Sequence, residues 1–207
     1  MDAKIQSDST PANNQTKVER TSERELVVTR TFNAQAHLVF DAWTTPELLK
    51  RWWAPKSSGV SFLSCEADVR VGGTYRFVFA HPASEQPMAF FGKYIAVVSP
   101  SRLVWTNDEA GEAGAVTTVT FEEKGGEALV GMHELYPSKE ALDTAIASGS
   151  TSGFSETFEQ LEELLVAPSA HEGQLAGSGA MGFDIAPDLV WGAKAFLHSQ
   201  VLSPIAC

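Results

Sequence analysis

The chain is poor in cysteine. Cys65 and Cys207 are the two it has, and Cys207 is the last of 207 residues. A disulfide framework is excluded, and two free thiols in a reducing cytoplasm are expected. Cationic side chains are also scarce: 15 Lys and Arg stand against 26 Asp and Glu, for a net charge of −11. No basic cluster offsets that total. Such a surface repels the phosphates of nucleic acid and of anionic membranes, so neither is an expected partner. No apolar run reaches the ~18 residues of a membrane-spanning helix. The N-terminal MDAKIQSDSTPANNQTK lacks the apolar centre of a signal peptide.

The usual catalytic signatures are missing as well. There is no G-x-S-x-G, no phosphate-binding P-loop and no G-x-G-x-x-G. Histidines 37, 81, 133, 171 and 198 show no metal-ligand spacing. His133 and Glu134, adjacent on a strand, point in opposite directions and cannot chelate together. No metal and no cofactor is expected. Cys65 has no identifiable base to activate it as a nucleophile.

What is present is a core. The hydrophobic share is 43%, enough for one globular domain with extensions. In Gly153–Leu165, GFSETFEQLEELL, apolar residues fall at Phe154, Phe158, Leu161, Leu164 and Leu165. That spacing makes one face of an amphipathic helix. Ser155, Glu156, Glu159, Gln160, Glu162 and Glu163 are assigned to its watery side. A helix this short needs a surface to lie on. The preceding chain supplies strands: Arg24–Phe32, Ser61–Val69, Thr74–His81, Met88–Val98, Arg102–Asn107, Ala115–Glu123 and Glu127–Tyr136. Their short connections predict antiparallel neighbours rather than βαβ crossovers. Two short helices, AHLVFDAWT and PELLKRWW, follow the first strand, the second with Pro46 at its first position and Thr45 as cap. Ser138 caps a third, to Ser148. Residues 1–22 read as a disordered leader. Residues 167–182 read as a linker by composition. Residues 183–207 read as one more amphipathic helix, or as an appended scar or shifted reading frame.

Several segments together resemble a known family. DAWTTPELLKRWWAP (Asp41–Pro55), VGGTYRF (Val71–Phe77), FGKYIAVVSPSRLVWT (Phe91–Thr106) and YPSKEALDTAIASGSTSGF (Tyr136–Phe154) occur in the order seen in bacterial proteins similar to the activator of the heat-shock-protein-90 ATPase. The resemblance covers residues ~24–166 and implies the START/Bet v 1-like (SRPBCC) superfamily. It implies an α+β helix-grip fold: a curved antiparallel sheet wrapped around a long C-terminal helix, with a hydrophobic cavity between them.

The cavity wall is where chemistry is expected. On the last strand, alternation puts Val130, Met132, Glu134 and Tyr136 on one face, assigned inward because it holds Met132 and Tyr136. Glu134 then faces apolar space, where desolvation makes it a candidate acid or base. A slip of one residue would bring in His133 instead. The expected ligand contacts are Trp53, Phe77, Phe79, Phe91, Tyr94, Trp105, Met132, Glu134, Tyr136, Phe154 and Phe158. Arg76 is assigned to solvent ahead of a ligand-anchoring role. Three functions are compatible with this reading. Binding of a small apolar or amphipathic molecule ranks first. A cyclase/dehydrase-type enzyme using Glu134 with Tyr136 or His133 ranks second. A co-chaperone acting on a heat-shock-protein-90 ATPase ranks third. The expected assembly is a monomer or homodimer.

Overall fold

The computed structural model describes residues 15–82, 84–109, 114–149 and 151–167. The linker and C-terminal segment expected from residue 168 onward, and most of the expected leader, lie outside the described residues. The elements run β1 (Lys17–Arg20), β2 (Glu25–Phe32), α1 (Ala36–Thr44), α2 (Pro46–Trp52), a 3-10 turn (Lys56–Ser58), β3 (Ser61–Ala67), β4 (Thr74–His81), β5 (Ser84–Val98), β6 (Arg102–Thr106), β7 (Val116–Lys124), β8 (Glu127–Leu135), α3 (Lys139–Ala147) and α4 (Phe154–Val166). The strands form one eight-stranded antiparallel sheet in the order β1-β2-β8-β7-β6-β5-β4-β3. Every pair from β3 to β8 joins sequence neighbours, as short turns require. The one long-range pairing is β2 on β8, with Val28 opposite Met132.

Two strand assignments differ from expectation. Strand β1 lies inside the stretch expected to be disordered: Lys17–Arg20 pairs with Leu26–Thr29. Its four side chains are all exposed, so no hydrophobic signal marks it. Strand β5 starts at Ser84, inside the expected loop 82–87. Pro87 is tolerated because the β4–β5 register is irregular between Phe79 and His81, where the ladder is interrupted.

The helices lie over the inner face of the sheet. Helix α1 buries Val39, Phe40, Ala42 and Trp43. Its first amide, Ala36 N, donates to Glu123 Oε2 on β7 at 3.1 Å, so the N-terminal cap comes from the sheet. Helix α2 starts at Pro46, whose ring is preset for a first turn. Thr45 precedes it without making a side-chain cap. Ser138 does cap α3, its Oγ accepting from Ala141 N at 3.1 Å.

Helix α4 is held by two different stripes. Phe158 and Leu161 are fully buried, and the Phe158 ring lies 5.7 Å from Phe32. The polar stripe Glu156, Gln160 and Glu163 grips the segment after α2. Gln160, assigned to the watery side, is instead 5% exposed. Its Nε2 donates to Trp52 O at 2.8 Å and Ala54 O at 2.9 Å, while Lys56 N donates to its Oε1 at 2.8 Å. Ser57 donates through both N and Oγ to the Glu156 carboxylate. Lys56 pairs with Glu163 at 3.1 Å. On its other flank, Arg30 of β2, 8% exposed, pairs with Glu162 at 3.2 Å. The polar side of α4 therefore fastens the helix to the end of α2 and the chain after it on one flank and to β2 on the other.

Candidate functional site

Between the inner face of the sheet, the end of α2 and the start of α4 lies a cavity of about 460 Å³. That is within the size range of pockets for small organic molecules. Its position follows from the register. Tyr94, Trp105, Thr117 and Glu134 stand opposite one another on β5, β6, β7 and β8, a single cross-strand row. Trp105, Thr117 and Glu134 of that row line the cavity. Phe77 and Phe90 pair across β4 and β5 and extend the wall. Trp43, Trp52 and Trp53 face the sheet from α1 and α2, and Phe154 and Phe158 from α4. Four of the five tryptophans thus surround one space. Trp43 packs edge-on to Trp53 at 5.6 Å and Phe158 at 6.1 Å. Its Nε1 is buried without a hydrogen-bond partner, a donor set among aromatic rings.

Polar side chains line the cavity beside the aromatic ones, and several are ordered by neighbours. Tyr136 donates its hydroxyl to Glu134 Oε2 at 2.7 Å. Burial raises the Tyr136 phenol well above its usual range, and the adjacent Glu134 charge adds to this. At neutral pH the phenol is therefore protonated and serves as the donor to Glu134. Tyr75 donates to Thr106 O at 3.0 Å and Asn107 Oδ1 at 3.2 Å. Burial, then the charge of Glu109, raises its phenol too. Asn107 Nδ2 donates to Thr117 Oγ1 at 2.9 Å, and Glu109 Oε1 accepts from Phe91 N at 2.9 Å. No group of three His, Cys, Asp or Glu able to hold a metal occurs among the described residues.

Of the residues expected at the site, Trp53, Phe77, Trp105, Met132, Glu134, Tyr136, Phe154 and Phe158 line the cavity. His133 does not. It lies on the outer face, 3.4 Å from Glu25 through Nδ1. Phe79 is core, its ring tilted against Phe62 at 4.2 Å and edge-on to Phe90 at 5.5 Å. Phe91 is a correction: it faces outward beneath the Arg76 guanidinium at 5.7 Å. Alternation explains why. Phe91 and Tyr94 are three residues apart on one strand and cannot share a face, whereas Phe90 and Tyr94 can. Tyr94 is buried beside the main cavity and lines a void of about 10 Å³, no larger than one water. Glu109, Asn107, Glu156 and Tyr75 were missed. Tyr75 alternates with Phe77 and was legible from that pattern; the others depend on loop and helix placement that no local pattern signals. Cys65 is buried, and desolvation pushes its thiol up to about 11, which removes the thiolate a nucleophile needs.

A single curved antiparallel sheet closed by a C-terminal helix over an aromatic cavity defines a helix-grip protein. The sequence model of the family described as Activator of Hsp90 ATPase homolog 1-like protein matches residues 33–166, and the chain belongs to that family. Solved structures agree on the fold. A protein from Rhodobacter sphaeroides superposes with TM-score 0.68 at 23% identity, over 75% of this chain and 100% of its own. One from Nitrosomonas europaea gives 0.64 at 24%, over 70% and 96%. An AHSA1-like protein from Aeromonas hydrophila gives 0.56 at 20%, over 70% and 99%. No curated protein matches the sequence.

Proposed function

We propose that the protein binds a small hydrophobic or amphipathic molecule in the cavity between its sheet and α4. The observation that carries this reading is an aromatic-walled space of about 460 Å³ inside a fold that otherwise packs its core tightly. Native interiors close such volumes when nothing is meant to enter them. The polar groups at the wall are neighbour-held, which suits orientation of a ligand rather than its covalent attack.

Native mass spectrometry of the purified protein, followed by extraction and identification of bound molecules, tests the proposal. A co-purified apolar molecule, or retention of an added naphthyl compound at micromolar concentration, is the expected result. Failure to hold any of a diverse set of apolar compounds would overturn it.

A second reading draws on the Tyr136–Glu134 hydrogen bond. A carboxylate and a protonated phenol 2.7 Å apart at a cavity wall can accept and return a proton. Under that reading the protein is a cyclase/dehydrase-type enzyme. Glu134→Gln then abolishes turnover of a polyketide-like substrate while binding persists; equal turnover would exclude Glu134 from the mechanism. The family description names an activator of the Hsp90 ATPase, and a partnership of this chain with that chaperone is the third reading. It predicts a complex at micromolar concentration in a pull-down.

A further inference from the structure

We propose that the cavity selects molecules carrying a protonated amine on an apolar or aromatic body, and discriminates against carboxylates. The inference rests on the binding reading above and adds the chemical class of the ligand. It comes from the sign of the charges on the wall. Three carboxylates line the cavity, Glu109, Glu134 and Glu156, from the β6–β7 connection, β8 and α4. Among the described residues no Lys or Arg side chain lines it. Among the described lining residues the one group able to become cationic is His81. Three carboxyl groups against one imidazole leave acidic side chains in excess on the described wall.

Neutral donors are among the groups that hold these carboxylates. Tyr136 supplies a phenol to Glu134, Phe91 an amide to Glu109, and Ser57 an amide and a hydroxyl to Glu156. Neutral donors orient a carboxylate without cancelling its charge. Placed around an apolar space, the charges act through a lower effective dielectric than water and are felt at longer range.

The row geometry gives the ligand a binding mode. Glu134 lies two strands from Trp105 in the same row, so roughly 10 Å separates their backbones. An ammonium beside Glu134 leaves the attached body against Trp105, Trp53 and Phe77. Indole faces favour cations and apolar surface alike. A carboxylate ligand in the same place meets like charge, with no Lys or Arg among the described lining residues to receive it.

The test uses three probes of matched shape: 2-(1-naphthyl)ethylamine, 1-naphthylacetate and 2-(1-naphthyl)ethanol. Binding to the full chain is measured by tryptophan fluorescence and calorimetry at neutral pH. The expected order is amine, alcohol, carboxylate, with the amine about tenfold or more tighter than the carboxylate, a difference of about 1.4 kcal/mol. Glu134→Gln keeps an acceptor for Tyr136 and narrows the amine-to-carboxylate ratio several-fold. Glu109→Gln, tested separately, narrows it too, so the result does not hang on the folding of one variant. Equal or tighter binding of the carboxylate overturns the charge selection while leaving the cavity reading in place. An amine preference unchanged in both variants also overturns it. If none of the three probes binds while another apolar compound does, the selection fails and the cavity reading stands; if no apolar compound binds, both fail.

Discussion

Gln160 illustrates how one buried amide can set the position of a helix. It satisfies two carbonyls and one amide at the end of α2 and in the chain just after it, all within 2.9 Å. An uncharged amide is suited to this task because it donates and accepts at once. Gln160→Leu keeps the bulk but leaves those three backbone groups unpaired, one of them on fully buried Trp52. The expected loss is about 2–5 kcal/mol in chemical denaturation. A loss within experimental error would show that water replaces the amide and that α4 is held by its apolar stripe alone. The stripe itself was legible in the sequence, since Phe154, Phe158 and Leu161 follow helical spacing. Gln160 was not. A polar residue on the apparent outer face carries no sign of what tertiary neighbour will cover it.

At the scale of elements, strands and helices were legible wherever a period or a turn residue marked them. The hairpin turn at Gly72 and the pair Gly125 and Gly126 adopt positive φ, and the strands on either side fall where alternation puts them. Strand β1 lacked any such mark. It exists because β2 offers it an unpaired edge, and that edge is a product of the finished sheet. The cap of α1 has the same origin. Gln35 precedes the helix without capping it, while Glu123 arrives from β7, 87 residues after Ala36. Glu123→Ala should cost about 1 kcal/mol, as removal of a cap does elsewhere, and Glu123→Gln markedly less. Equal losses for both variants would mean the carboxylate charge at the helix terminus matters more than the hydrogen bond. The cavity wall was legible in the same partial way. The phase of β8 followed from Met132 and Tyr136. That of β5 was misjudged at Phe91 because two adjacent phenylalanines present the same pattern on both faces.

For the whole molecule, the three tyrosines, 75, 94 and 136, are all buried against the inner face or its margin. Burial is the first cause of the raised phenol in each, since a phenolate loses its water there. In the unfolded chain they ionise near their ordinary value of about 10. A group whose folded value is raised gives stability that is fully present below the unfolded value and lost as pH rises above it. Denaturation should therefore show flat tyrosine-linked stability up to pH ~10 and a progressive fall beyond it. Phenolate absorbance should appear together with loss of tertiary structure. Phenolate formation in the intact fold near pH ~10 would contradict the burial of these side chains.

The central claim is that the space between sheet and helix admits a molecule from solution. The direct measurement is a nitrogen–proton NMR titration with 2-(1-naphthyl)ethylamine. The predicted result is saturable movement of the indole signals of Trp43, Trp53 and Trp105 and of the amides of Thr117, Glu134 and Phe158. The amides of Leu63, Ile95 and Leu129, whose side chains are exposed, should stay still. Movement of those three amides with stationary indole signals would place the compound on the outer surface and contradict the account.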